Sequence, residues 1–591
     1  MLPVSMPACS TASPAGSPPD PPHGSVMLPS STPLTSLDPE TLAATPWRRW
    51  AWPFAVVAVA GVAGGLWWGG RTAPALAIAG AVVLGLALGV GIAALRLVLS
   101  GSHGVIGVAR AVVEEAVGSR TPVLLVLALV LGLPVLPLVL DPSERLEYRL
   151  QFFLNWALSG ASFLLAMVTI VLAVGSVCGD IDSQRIHMTL VKPIQRWQYL
   201  LGKWLGIVLL DAVLVGIVGV GVFLGAVAIG RLPAADSSDR RAVDEQVFTA
   251  RQTARPEHPQ GAEFDAAVTA SIEQMQKDDP ARFSLDPAGA RRRIRAQRVL
   301  EWHTVSADVM ASYLFPLPEP SRLDASVVQL RLKPFADNVG IDRAPVRFAL
   351  WLNDRAYPVK NGVHEEYTLT SGRFHTIDIP VSVIDESGRL RVAIANRNLV
   401  PPGETRPTAI SFSPGKGLEV LYRAGSFAGN FARGLVVMLA KLAMLAAAGL
   451  AAASWLGFPI AVLMSMMVYV VAVARGFLAD AIDIYTGLDR PDSTFVSMVR
   501  LRATLLLERL DKLELWDAFK TLTSIVADGF LALVPSFGAH DGVTEVSTGR
   551  LLSLSQMLGS CGELAVLYPL LLLAVGWLLL ERRDLVNVSG S

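Results

Sequence analysis

Residues 152–178 read FFLNWALSGASFLLAMVTIVLAVGSVC, and residues 204–229 read WLGIVLLDAVLVGIVGVGVFLGAVAI. The first run carries no charged residue and the second carries only Asp211. A helix needs about 20 mostly apolar residues to cross roughly 30 Å of hydrocarbon, and both runs are long enough. Between them lies a charged connection, residues 179–203, GDIDSQRIHMTLVKPIQRWQYLLGK. Two spanning helices joined by a charged loop place the chain in the membrane.

Six further segments extend the pattern: Trp52–Trp68, Ala75–Leu95, Val123–Leu140, Leu435–Trp455, Phe458–Ala474 and Leu564–Leu580. Eight such runs do not fit the core of a soluble protein. Composition agrees: of 591 residues 52% are hydrophobic and 17% charged, against about 25% charged in soluble domains. The net charge of zero gives no argument for nucleic acid as a partner. The three cysteines, Cys9, Cys178 and Cys561, form no disulfide framework and no metal-ligand pair. Residues 1–46 are rich in Pro, Ser and Thr and read as a disordered tail; they lack the early apolar core of a signal peptide, and Met27 is an alternative start.

Basic residues in short loops mark the cytoplasmic side. Arg48 and Arg49 precede the first span, and Arg96, Arg110 and Arg120 separate the second from the third. Arg185, Lys192, Arg196 and Lys203 separate the fourth from the fifth, and Arg582 with Arg583 follow the last. Alternate crossing puts all of them on one side, with both termini cytoplasmic.

Two polar regions then face outward. In the larger, 231–430, Val328-Gln329-Leu330-Arg331-Leu332-Lys333 alternates with the period of a strand that has one buried face. Val346–Leu352 followed by Asn353-Asp354 reads as strand and turn. His375–Ile384, the turn Asp385–Gly388 and Leu390–Ala395 read as a hairpin. Short strands with frequent turns point to a small antiparallel β-sandwich. In the second region Met498, Leu501, Leu505, Leu506, Leu510 and Leu513 fall at helical spacing, for the membrane interface or the sandwich.

The expected fold is an all-α membrane bundle of about eight transmembrane helices with an inserted extracytoplasmic β-sandwich domain. Its parts are the tail (1–46), a two-helix hairpin (47–100), and a region of three spans with the charged loop (101–230). The outer insert (231–430), a helix pair (431–478), an outer or interfacial helical segment (479–560) and the last span with its tail (561–591) follow.

Catalytic patterns are missing. There is no G-x-x-x-x-G-K-[ST] phosphate loop, and Gly415-Lys416-Gly417 is a turn. His364-Glu365-Glu366 lacks the second histidine of a zinc helix, and no G-x-S-x-G elbow occurs. The chain is therefore expected not to be an enzyme, and to hold no cofactor or metal.

The loop is the informative stretch. Asp180 and Asp182 come first, suiting the positive N-terminal end of a helix; Ile186, Leu190 and Val191 share a face, and Pro193 stops the run. On the residues alone two readings stay open: a helix that transmits force from a soluble partner, or an interfacial loop that satisfies the positive-inside bias. The acidic start, Thr189-Leu190, Pro193-x-x-Arg196 and Leu201-Gly202-Lys203 before a span together resemble the type-2 ATP-binding-cassette exporter permeases. Residues 104–117, with Arg110, Glu114 and Glu115, resemble that family's amphipathic elbow helix, and Leu580–Leu585 its cytoplasmic ending. The likeness covers about 104–230 and 431–585.

The resemblance implies a permease subunit whose loop docks, through a coupling helix, on a separate ATPase that binds ATP and Mg. It implies a second copy or a homologous permease as partner, in the cytoplasmic membrane. Carried over by position, the coupling residues are Asp180, Asp182, Arg185, Lys192, Pro193, Arg196 and Lys203, with the elbow residues Arg110, Glu114 and Glu115. The sequence departs from the family at Asp182, where Glu is common, and at Met188-Thr189, where Gly-Thr is common. A different class of function is a membrane-anchored binding or envelope-assembly protein that uses residues 231–430. Two charges lie inside spans, Asp211 and Lys441, and read as pathway residues, a pair, or groups that snorkel to the interface. Opposite helix directions are expected to put them at different depths, against direct pairing.

Overall fold

A computed structural model describes residues 72–582, apart from residues 102, 184–194, 258–261, 279–286, 307–308, 324–326, 337–344, 361–362, 399–407, 414–416, 487–501, 505, 508 and 512–514. The first expected span, Trp52–Trp68, lies outside the described residues. Among them, seven helices are long and apolar enough to cross a membrane. They are α1 (Thr72–Val98), α3 (Arg120–Val139), α4 (Leu146–Asp182), α5 (Arg196–Gly230), α6 (Phe427–Ala453), α7 (Phe458–Thr486) and α9 (Leu554–Arg582). The stretch expected as an elbow is the helix α2 (Gly104–Gly118), and α8 (Leu515–Leu533) follows α7.

The seven runs read from sequence are all present, several of them longer. At 1.5 Å per residue α4 and α5 reach about 50 Å, well beyond the hydrocarbon, so their ends stand in polar surroundings. α4 and α6 are the most buried spans and form the centre; α1, α3, α7 and α9 carry their large apolar residues outward. On α7, Ile460, Leu463, Met467, Val470, Val473 and Phe477 make one exposed stripe, the lipid-facing pattern of a span.

One end of the bundle gathers α2, the end of α4, the start of α5, the α6–α7 turn and the end of α9. Val108, Val112, Val177, Tyr199, Leu450, Ala461 and Leu580 share a core there. This grouping matches alternate crossing. The opposite end carries the β region between α5 and α6.

Two larger antiparallel sheets of that region, beside two smaller ones, enclose one apolar core. The strands of the two larger sheets are β1 (Thr249–Ala254), β2 (Met310–Pro316), β3 (Val327–Leu332), β4 (Pro345–Leu352), β5 (Arg355–Tyr357), β6 (Tyr367–Thr370), β7 (His375–Pro380), β8 (Arg389–Asn396) and β9 (Leu418–Ser426). The order is β1-β9-β3-β7 in one sheet and β6-β4-β8-β2 in the other, with β5 on β4. Val328, Leu330 and Leu332 from the first sheet meet Phe348, Leu350, Val392 and Ile394 from the second.

The strand read at 328–333 and the strand and turn at 346–354 are as expected; Asn353 and Asp354 take φ of 45° and 65°, as a tight hairpin requires. The hairpin read at 375–395 is corrected. β7 pairs with β3 and β8 with β4 and β2, so these neighbours in sequence belong to different sheets. The 3-10 turn Val381–Val383 carries the chain across, and Ile384 and Leu390 are buried in the shared core. Alternation shows which residues face a core but not which strand lies alongside.

Entry and exit strands of the β region pair with each other, Thr249 opposite Ser426. β9 passes into α6 without a linker, and the Ser426 side chain caps the helix at the Gly429 N–H. The helix thus begins four residues before the boundary expected at 430/431. The stretch before α9 also joins the sheet: the Arg251 N–H donates to Gly549 O and the Leu551 N–H to Arg251 O, both at 2.8 Å. Charges seal the joint. Glu419, almost wholly buried, accepts from Arg331 at 2.9 Å and from Arg550. Arg251 donates to Gln329 and to Thr548 O, and its burial, with Arg331 and Arg550 nearby, pushes its pKa down to about 10. The Asn430 amide bridges Arg550 O and the Leu552 N–H.

The start of α4, at the β-region end, is capped from a distance. Arg145, its N-cap, makes no side-chain cap. Asp239 instead accepts from the N–H groups of Leu146 (2.9 Å), Glu147 (3.0 Å) and Ala235 (3.0 Å). Burial opposes its charge, but those three bonds and Arg145 outweigh it and hold the carboxyl below its ordinary value. A depressed folded value means the cap stabilises fully above the unfolded pKa and is lost as pH falls through the folded one. Asp239→Ala is therefore expected to cost about 1–2 kcal/mol at neutral pH. Thermal melts should show the gap from wild type closing below about pH 4.

The helix read at Met498–Leu513 is only partly among the described residues. Its Arg502 pairs with Asp528 and its Arg509 donates to Thr521 Oγ1 at 2.6 Å, both on α8. α8 was not read from the sequence. It turns Thr521, Ser524 and Asp528 inward and leaves Trp516, Phe519, Val526, Phe530 and Leu533 exposed.

Candidate functional site

The loop end of the bundle brings together residues that the sequence separates. Lys203, about two turns into α5, is 3% exposed on its side chain. Its Nζ lies 2.8 Å from Asp180 Oδ2, 3.5 Å from Glu115 Oε2 and 2.9 Å from the Ser176 carbonyl. Tyr199 adds a hydroxyl that donates to the same Asp180 oxygen at 2.8 Å. One cation thus ties the elbow, the end of α4 and the start of α5. Breaking a buried pair of this kind is strongly destabilising, because the remaining charge is left in low dielectric.

Asp180 and Asp182 fall in the last turn of α4, which ends at Asp182. This corrects the reading of them as the start of a new helix. Acidic groups at a helix C-terminus oppose the helix dipole, and for Asp180 the Lys203 ammonium and Tyr199 hydroxyl compensate. Asp182 is exposed.

The elbow crosses α5 at close range. A Cβ on Gly202 would lie 2.8 Å from Val105 O, and one on Gly206 would lie 2.6 Å from Ala109 O. Glycines four residues apart let two helix backbones approach, as in membrane helix pairs generally. That Gly202-x-x-x-Gly206 spacing was a legible signal that the reading of the loop did not use.

Two further bonds spread the assembly. Arg196 Nη1 donates to Leu580 O at 2.6 Å, joining the start of α5 to the end of α9. Trp204 Nε1 donates to Ala443 O at 2.8 Å, joining α5 to α6. Gln195 and Gln198 form a capping box that fixes where α5 begins.

Of the expected coupling and elbow residues, the structure brings Asp180, Lys203 and the elbow residue Glu115 together and sets Arg196 against α9. Glu114 pairs with Arg96 at 2.8 Å, with both half-exposed, a contact worth little. Arg110 is exposed on the elbow. Arg185, Lys192 and Pro193, with the helix expected around 186–191, lie outside the described residues. Sequence reasoning missed Tyr199, Trp204, Ser176 and Gly206.

The intramembrane charges do not pair. Asp211 Oδ2 is 2.9 Å from Thr169 Oγ1, while Lys441 Nζ lies 5.5 Å from the Phe537 ring. Asp211 stands 15 residues into α5, and Lys441 stands 12 residues before the end of α6. Among the described residues no three His, Cys, Asp or Glu side chains are grouped to hold a metal ion.

No curated protein and no solved structure matches the chain. Residues 106–238, from α2 through α5 to the segment beside the Asp239 cap, match the model of the ABC-2 family transporter protein, and the resemblance read from residues 104–230 falls largely within that stretch.

Proposed function

We propose that this chain is the membrane-spanning subunit of an ATP-binding-cassette exporter, driven by a separate ATPase and not itself catalytic. The Lys203 brace carries the reading. It makes elbow, α4 and α5 one unit directly behind the loop, so a pull on the loop moves all three. In this reading the loop is cytoplasmic, and the ATPase contacts come from Asp182, Arg185, Lys192, Pro193 and Arg196, with Asp180 and Lys203 bracing them. The partner binds ATP and Mg, and a second copy or homologous permease completes the pathway. The chain crosses the cytoplasmic membrane eight times, counting Trp52–Trp68, with both termini inside and the β region outside as a β-sandwich. Closure of the ATPase drives alternating exposure by moving α4 and α5 together, and Trp204 passes the motion to α6.

The separate apolar core of the β region favours a second role, in which the domain binds an envelope partner while the spans hold it. Affinity purification of the tagged full chain distinguishes the two. Co-purification of an ATPase whose hydrolysis falls when Arg185 and Lys192 are both changed to Glu is the expected result. Full function with no nucleotide-hydrolysing partner would rule out the exporter reading.

A further inference from the structure

The centre of the bundle holds a carboxyl group that the coupling scheme does not use. Asp211 is fully buried, about 22 Å along α5 from the loop end, opposite Thr169 on α4. Thr169 Oγ1 lies 2.8 Å from the Leu165 carbonyl oxygen and 2.9 Å from Asp211 Oδ2. A threonine hydroxyl has one hydrogen; a carbonyl oxygen and an ionised carboxylate only accept. With an ionised Asp211 two acceptors compete for that single hydrogen.

A neutral acid removes the conflict, because Asp211 Oδ2–H donates to Thr169 Oγ1, whose own hydrogen goes to Leu165 O. The other carboxyl oxygen, Oδ1, is buried without a hydrogen-bond partner. An orphaned oxygen is tolerable as the carbonyl of an acid and far costlier as half of an anion.

Among the described residues no counter-charge is directed at it. On the packed helices, Glu147, Arg149 and Arg433 lie toward the β-region end, and Asp180, Asp182, Arg196 and Lys203 toward the loop end. Lys441 on α6 is directed at Phe537. A metal cation fits poorly: the two side chains and the Leu165 carbonyl offer four oxygens at most, short of the six or more that hard cations such as Ca²⁺ take.

We propose that Asp211 and Thr169 form an intramembrane proton site, with Asp211 holding the proton in this conformation and linking α5 to α4 through Thr169. Any state that admits water to this level breaks the Asp211 O–H bond. The proton passes to water and a solvated carboxylate remains, since a carboxyl in water ionises well below neutral pH. Opening of the bundle at this site therefore releases one proton. The proposal does not depend on the ATPase reading.

Infrared difference spectra of the full chain in lipid nanodiscs, with aspartate carboxyl carbons ¹³C-labelled, test it at neutral pH. Wild type minus Asp211→Asn is expected to show one isotope-sensitive C=O band of a protonated acid, and Thr169→Val is expected to shift that band without abolishing it. Carboxylate bands alone would overturn the proposal, and so would conversion to carboxylate on adding sodium, which would make the site a cation site. A band unmoved by Thr169→Val would overturn the Thr169 link. If Asp211→Asn does not fold, the Thr169→Val comparison still reads the acid band.

Discussion

Lys203→Met is expected to destabilise the protein by about 3–5 kcal/mol, the usual penalty for removing one partner of a buried ion pair. Methionine fills similar space, so the loss reports charge rather than volume. It leaves Asp180 with the Tyr199 hydroxyl alone and deprives Glu115 and the Ser176 carbonyl of their shared donor. Lys203→Met combined with Asp180→Asn is expected to recover much of the loss, because the stranded anion is gone. Thermal unfolding in nanodiscs measures both, and the double-mutant cycle isolates the pair from general effects. A Lys203→Met protein that melts with wild type would show that the brace contributes nothing.

Glu419→Ala is the second large effect, also expected at about 3–5 kcal/mol. Glu419 is 1% exposed and is the acceptor shared by Arg331 and Arg550, with Arg251 beside them as a third cation. Its loss leaves three guanidinium groups together where the β region meets α6 and the approach to α9. Because β9 runs directly into α6, weakening this joint loosens the β region against the bundle. Limited proteolysis should cut near 548–552 faster in the variant, and Glu419→Gln, which keeps one acceptor oxygen, should fall between the two. Equal cutting rates in all three proteins would refute the clamp.

The spans were legible because hydrocarbon imposes one rule on every residue of a crossing helix, and a run such as 152–178 satisfies it locally. Strands 328–332 and 346–352 were legible because alternation is also local. Strand partners were not: nothing in residues 375–395 states that β7 and β8 leave for different sheets. α8 was missed because Asp517, Lys520 and Asp528 break its apolar count, and it shows only as a face once Arg502 and Arg509 occupy the other side.

At the site, sequence supplied the residue types and resemblance their family roles. Lys203 read as one more positive-inside charge, and only packing shows it buried between Asp180 and Glu115. Asp180 read as a helix start and proved a helix end, since acidic residues mark N-termini only where no tertiary cation overrides the dipole. By itself the sequence determined a multi-pass membrane chain with a large polar insert, because hydrophobic length is additive along the chain. The tertiary structure alone decided which charges are paired, which strands are neighbours and where Asp239 caps α4, because those energies depend on groups brought close from far apart in sequence.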